Sequence, residues 1–429
     1  MLYENWLQNG SLSIKTNYYP PLKKNISTEC LVIGGGIAGL HAALRLINSG
    51  KSVVLLEKRV CGGSSSGQSG GFLSAESEED MSALMKRYSK EKAKIVYQIP
   101  KKGVDLIADN IRKHKFNCDF RVQDTLFFSA KKSHDDDILE EADAKEEENL
   151  PHNILKKRKL MKIHPGKYYR MALTYPGSYG INAYAYCQEM KNLIIKKGVK
   201  IYEGSEVQKI NGNTAITHLG SVKAKNIIIC VDKMRKELDE DFEKKYYHIQ
   251  AYIAISEPLK DEEMKSLFPK KELMCWDASW DYVYYRPVEG NRLMVGGSSA
   301  MTAYMSGYYY SPKVINRFIE ELKRNFPKIK DIEFTHYWAG LIDATKDLVP
   351  IADYDPKNKS IQYSLGCAGL NWAAFCGDYL ARRVIDKKNT EDLTEFLGAK
   401  RKFWISDNLQ RFLGKRISFS LSHLKHFLG

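Results

Sequence analysis

The sequence predicts an α/β chain: a Rossmann-like nucleotide-binding domain joined to an α+β domain built on an antiparallel sheet. Three observations carry this. Residues 28–57 spell strand, glycine turn, helix, strand and acid in register. Buried aliphatic runs return at 173–207 and 224–231 with a helical pattern within the first. Between 246 and 297, aromatic and β-branched residues come in runs of strand length.

The elements follow in order. Residues 1–27 form an N-terminal arm ending in Tyr18-Tyr19-Pro20-Pro21. Thr28 to Ile33 (TECLVI) is a short buried strand, and Gly34-Gly35-Gly36-Ile37-Ala38-Gly39 is a G-x-G-x-x-G turn. Leu40, Ala43, Leu44 and Leu46 then share one helix face up to the C-cap Gly50. Strand Ser52 to Leu56 leads into Glu57. Gly34 allows the tight turn, Gly36 lets a pyrophosphate approach the backbone, and Gly39 brings helix and strand together. Helix N-terminal amides, with Ile37 and Ala38 in the first turn, favour the anion, and Glu57 is placed for a ribose hydroxyl. The next stretch, Lys58 to Gly71, holds five glycines and four serines, small enough to wrap a long anion.

Residues 76–112 predict two helices with a break or kink at Pro100. Cys118 to Ser129 predicts a strand pair, and 131–157 a charged helix whose acids form a solvated face, since consecutive carboxylates point in different directions. No metal site is expected. Residues 173–207 and 224–231 return to the nucleotide-binding sheet. Tyr246 to Glu257, Asp281 to Pro287 and Arg292 to Gly297 predict an antiparallel sheet, and Pro312 to Phe326 an amphipathic helix. The tail from 395 is helical and basic, and is expected first to pack on the nucleotide-binding domain and second to touch a membrane surface.

Composition narrows the function. Lys+Arg 66 against Asp+Glu 52 gives +14, read as a solvated surface because no nucleic-acid motif accompanies it. The eight cysteines form no C-x-x-C, there is no signal-peptide pattern, and no window of 18 residues is continuously apolar. A cytoplasmic protein is expected.

In these motifs the chain resembles the D-amino acid oxidase/glycine oxidase superfamily of FAD-dependent oxidoreductases, and within it the gamma-glutamylputrescine oxidase-like proteins. The glycine-serine loop is similar to the family's G-x-G-A-S-G-x-N-G-G segment, with Ser64 at the middle glycine and Ser69 at the asparagine. Gly198, Val199, Tyr202 and Val207 match G-V-x-I-Y-E-x-T-x-V, while Ala183 replaces a proline. Trp338-Ala339-Gly340, Thr345, Asp347 and Pro350 match W-x-G…T-x-D…P, and Gly366 to Trp372 matches the glycine turn before the last helix. The resemblance implies a glutathione-reductase-type FAD-binding domain. It implies cofactor contacts from Gly34, Gly36, Ile37, Ala38, Gly39, Glu57, Lys58, Ser64, Ser65, Ser66, Gly67, Gly70, Gly71, Val207, Gly340, Gly369, Leu370, Asn371 and Trp372. The expected FAD-binding domain is discontinuous (28–96, 173–235, 333–390), the substrate domain covers 97–172 and 236–332, and 391–429 is the tail.

The resemblance also implies the chemistry: oxidation of an amine C–N bond by hydride transfer to flavin N5, giving an imine that hydrolyses. Such an amine must be neutral, and an apolar aromatic site lowers its pKa by desolvation. Tyr252, Tyr284, Tyr285, Trp338 and Trp372 are the candidate walls, and Tyr252, Tyr285, Trp338 and Asp343 the expected catalytic set. Ile342-Asp343 stands where amino-acid-oxidising members place an arginine for the substrate carboxylate, which favours an amine or polyamine derivative, with Asp343 either pairing with its ammonium or capping a turn. An amino acid oxidase or dehydrogenase using Arg286 or Lys346 instead, an enzyme acting on modified tRNA, and a flavoprotein without turnover stay open. Related enzymes attach flavin through a cysteine near Gly340 and activate O2 with a lysine at Met294; here dissociable FAD is expected, with O2 or another acceptor.

Overall fold

The computed structural model describes residues 1–10, 16–75, 79–234, 236–279, 283–298, 304 and 307–428, side chains beyond 422 excepted. The βαβ unit forms as the pattern requires. Strand Asn25–Ile33 runs parallel to Val53–Leu56 on one side and to Ser221–Ile229 on the other. Lys200–Tyr202 and Ile361–Leu365 extend the parallel order at either end. Strands covered on both faces must be apolar throughout: Leu31, Val32, Ile227, Ile228 and Ile229 are fully buried. Helices Ile37–Asn48, Leu370–Ile385 and Lys90–His114 share the core over one face. All five parallel strands end at one edge, where open α/β sheets bind ligands.

A second, mostly antiparallel sheet has nine strands among the described residues. Phe334–Thr345 pairs with Tyr246–Ser256, which pairs with Arg292–Gly297, then Val283–Val288 and Leu273–Asp277. Asp124–Ser129 continues the sheet in parallel, followed by Met171–Tyr175 and Asn153–Lys156. Helix Pro312–Asn325 seals the outer face through Ile315, Phe318 and Ile319. The inner face carries Trp338, Met294 and Tyr284 toward the glycine-serine loop.

Several expectations shift. Pro100 breaks nothing: it sits inside one helix, Lys90–His114, and the interruption falls at Tyr88–Ser89, where Ser89 caps a new start. That helix packs on the nucleotide-binding core, so residues 97–114 do not join the antiparallel sheet. Phe334–Thr345 does join it, since its aromatic alternation suits the long partner Tyr246–Ser256. The charged stretch is helical over Asp135–Glu147, and there Glu141 is buried with Lys145 at 3.3 Å rather than solvated. Asp281 lies outside the described residues. The N-terminal arm docks on both sheets' shared flank: Leu2–Tyr3 pairs with Phe334–Thr345, and Trp6 and Leu7 are buried.

Candidate active site

The carboxyl ends of the parallel strands open into one cleft enclosing about 1090 Å³ of empty space, its mouth included. Gly34, Gly36, Ile37 and Ala38 form one wall, Glu57, Lys58 and Val207 one end, Ser64, Ser65 and Ser66 the other wall, and Ile342, Gly366 and Cys367 the far end.

Sequence dictates the glycine turn's shape. Gly34 has φ +104°, and a Cβ there would lie 2.2 Å from the Cys230 carbonyl oxygen. A Cβ on Gly39 would lie 1.9 Å from the Gly34 carbonyl oxygen, so helix and strand can meet only through glycine. Glu57 accepts from the Gly35 amide at 2.7 Å and the Arg59 amide at 2.8 Å. Burial pushes its carboxyl up, and those two donors oppose the shift. The Ser66 hydroxyl accepts from the Ile37 amide at 3.1 Å, tying the loop to the helix N-terminus.

The loop is fastened from behind. Buried Glu203 accepts from the Cys61 amide at 2.8 Å, from the Tyr19 amide at 2.9 Å and from Lys191 at 3.2 Å. Asn5 donates to the Gly67 carbonyl at 3.0 Å, and the Ile181 amide donates to the Gly71 carbonyl at 3.0 Å. Arg286, fully buried, donates to the carbonyls of Gly70 (2.9 Å) and Ile181 (2.7 Å) and to Gln123 (3.3 Å). Burial pushes its pKa down to about 10.

These features fit an extended dinucleotide. The first turn of helix Ile37–Asn48 has amides without intrahelical acceptors, an arrangement that suits a diphosphate. The space at Gly36 is a cradle: a Cβ would sit 3.0 Å from the Ser66 hydroxyl. Glu57 and Val207 line the same cleft, where the sequence expects the ribose. Gly340 does not line the cleft; it lies beside Gln68, whose Cβ is the nearest neighbour of an added Cβ at 3.8 Å.

The expected site residues divide. Gly34, Gly36, Ile37, Ala38, Glu57, Lys58, Ser64, Ser65, Ser66 and Val207 line the cleft. Gly39, Gly67, Gly70 and Gly71 shape it from behind through packing and backbone bonds. Gly369 caps helix Leu370–Ile385 at φ +105°, and Asn371 donates to the Ser74 carbonyl at 2.5 Å. Leu370 and Trp372 are buried in the nucleotide-binding core, so Trp372 is no substrate wall.

The tyrosines change places. Adjacent strand residues face opposite ways. Tyr284 faces inward and meets Phe72 edge-on at 5.2 Å. Tyr285 faces the outer core, where its hydroxyl bonds Tyr169 at 2.8 Å and His164. Tyr252 lies in that same outer cluster, donating to the Tyr309 carbonyl at 2.6 Å. The structure therefore removes Tyr252 and Tyr285 from the expected catalytic set. Trp338 stays at the inner face, donating to the Gln68 carbonyl at 2.9 Å. Asp343 lines the cleft, but both its oxygens are engaged: His248 Nδ1 at 2.7 Å and the Lys233 amide at 2.7 Å. It latches two segments together instead of presenting a free carboxylate to an ammonium.

Asp232 and Lys233 line the cleft and were not expected. Burial alone would raise the Asp232 carboxyl; Lys233 and the hydroxyls of Ser65 and Ser64 outweigh it and hold the carboxyl low. Lys233 takes a left-handed backbone, φ 52°, uncommon outside glycine and asparagine and fixed here by Asp343. Their position directly after a buried parallel strand was the available signal.

Comparison with known proteins agrees with this geometry. The chain is 25% identical over 345 residues to the probable oxidoreductase OrdL of Haemophilus influenzae, covering 77% of each. It is 25% identical over 368 residues to gamma-glutamylputrescine oxidoreductase of Escherichia coli, covering 82% of this chain and 83% of that one. The fold matches glycine oxidase from Geobacillus kaustophilus with a TM-score of 0.75 at 18% identity, covering 88% of this chain and 99% of that one. The sequence model of the FAD dependent oxidoreductase (DAO) family matches residues 29–383, so the chain belongs to that family and is an oxidoreductase with FAD as its cofactor.

Proposed function

We propose that the enzyme oxidises the C–N bond of a small amine derivative to an imine, which water then hydrolyses. One observation carries this reading: the cleft runs unbroken from Glu57 and Val207 past Ser64–Ser66 to Ile342, Gly366 and Cys367, next to the aromatic inner face of the antiparallel sheet. FAD, when bound, supplies the hydride acceptor. The protein's own residues do the rest. The glycine turn and Ser66 hold the diphosphate, and Glu57 holds the ribose. Half-buried Phe72 and Tyr284, packed on the covered side chains of Trp338 and Met294, offer an apolar surface, which disfavours the ammonium form and keeps the amine neutral. Gly340 leaves room above the Gln68 segment for a flat ring.

Substrate class follows from what the cleft lacks. Ile342 occupies the place of a carboxylate-binding arginine in amino-acid-oxidising relatives. The two alternative cations are committed: Arg286 to Gly70, Ile181 and Gln123, and Lys346 to the Ile405 carbonyl at 2.9 Å and Asp407 at 3.0 Å. The name of the E. coli relative, which acts on a glutamylated amine, supports the same reading. FAD is held without a covalent bond, and the acceptor that reoxidises it is O2 or another small oxidant. We place the enzyme in the cytoplasm, which its eight free cysteines support; no helix of the described residues is long and apolar enough to cross a membrane.

The test is anaerobic bleaching of the visible flavin band with polyamines, glutamylated amines and D-amino acids. Bleaching by the amines is expected. Bleaching by D-amino acids alone would overturn the substrate class, and bleaching by none of the compounds would favour a flavoprotein without turnover.

A further inference from the structure

We propose that the C-terminal segment is a docking surface for an anionic lipid bilayer. From Phe396 to Gly429 the sequence carries seven lysines and arginines against a single carboxylate, Asp407. Asp407, half exposed, is engaged by two lysines of the body, accepting from Lys245 and Lys346. Arg401 and Lys415 are likewise used inside, on Asp347 and Glu243. Lys400, Lys402, Arg411 and Arg416 stay on the surface.

Between these cations the apolar side chains stand outward. Phe412 is 86% exposed, Trp404 59%, Ile417 53% and Leu409 45%. Helix Lys415–Leu428 is turned the wrong way for a helix facing only water: Ser418 and Ser422 are buried while Ile417 and Leu421 face out. Leu413, Ile417 and Leu421 line one hollow with Lys415 and Arg416, so apolar groups from both helices meet there, and exposed Phe412 is the chain neighbour of Leu413. Scattered apolar exposure needs no explanation, but a contiguous patch rimmed by charge marks an interaction site.

Charge selects the occupant. A second copy would set one predominantly basic surface against another. A bilayer with acidic headgroups satisfies both halves: the aromatic and aliphatic tips enter the headgroup boundary while Lys and Arg meet the phosphates. This inference rests on the tail alone and is independent of the substrate reading above.

The test uses the full-length flavin-loaded enzyme and sedimentation with vesicles. Vesicles of phosphatidylcholine containing phosphatidylglycerol are expected to carry the protein down at low salt; pure phosphatidylcholine vesicles are not. The F412S/I417S and K402E/R411E variants are each expected to weaken binding about tenfold or more, with flavin content and thermal midpoint unchanged because all four side chains are exposed. The proposal is overturned if the wild type stays in solution with the anionic vesicles, if binding ignores headgroup charge, or if F412S/I417S instead converts a dimer to a monomer.

Discussion

Replacing Gly34 by alanine isolates the glycine turn's contribution to cofactor binding. The residue has φ +104°, and the new Cβ would lie 2.2 Å from the Cys230 carbonyl oxygen, where ordinary contact begins at 3.4 Å. The turn must therefore move by about 1 Å, and the unfavourable backbone costs a further 1–3 kcal/mol or so. A shift of that size carries helix amides out of hydrogen-bond reach of a fixed diphosphate. Each bond to a charged group is worth about 1.5–3 kcal/mol. Losing two weakens FAD binding by roughly a hundredfold or more. Gly50 is the control: its φ is +83°, but an added Cβ meets nothing within 4 Å. Alanine there lowers the thermal midpoint through backbone strain alone, about 1–2 kcal/mol, and leaves FAD affinity intact. Titrating apoprotein with FAD by flavin fluorescence measures both. If Gly34→Ala bound FAD as tightly as Gly50→Ala, the reasoning that the turn fixes the diphosphate would be refuted.

Arg286→Lys leaves the carbonyls of Gly70 and Ile181 without their fork, and is expected to cost about 3 kcal/mol of stability and at least tenfold in FAD affinity, read by denaturation and titration; an unchanged affinity would show that the loop needs no brace. Burial lowers His41 and His164 to about 4, so both are neutral in the folded protein. Between their ordinary value of 6.5 and 4 the unfolded chain binds protons that the folded chain does not, so stability is retained above 6.5 and falls as pH drops through this window. From pH 7 to 5 each histidine accounts for about 2 kcal/mol, and His41→Gln is expected to shrink the measured loss by that amount; an identical loss in the variant would contradict the assignment. Glu57→Ala orphans the Gly35 and Arg59 amides and removes the ribose acceptor, lowering FAD affinity about tenfold or more, whereas Glu57→Gln retains an acceptor and is expected to be milder; equal effects would point to charge rather than hydrogen bonding.

The parts legible in sequence were those whose cause is local. The glycine turn, the first helix and Glu57 lie within thirty residues of one another, and their spacing dictates their geometry. Which face a strand residue takes is not local in this way. Tyr284 and Tyr285 share the same composition signal, and only the register of Val283–Val288 against Arg292–Gly297 sends the first to the loop and the second to His164. Asp343 is similar: its partners His248 and Lys233 are 95 and 110 residues away, so its engagement was invisible before the strands paired. Pro100 misled because a proline removes one helical hydrogen bond but does not outweigh the packing of a long buried face. The acid run misled at Glu141 and Glu148, both buried: the first meets buried Lys145 one helical turn on, and the second meets Lys94 at 3.0 Å.

On the proposed reading FAD lies in the cleft between the first glycine turn and Ile342, Gly366 and Cys367, held there without a covalent bond. Denaturing the purified enzyme and measuring flavin released per chain tests this directly. About one FAD per chain is expected, all of it in the yellow supernatant. A colourless protein that also refuses added FAD, or flavin that stays with the precipitated chain, would contradict it.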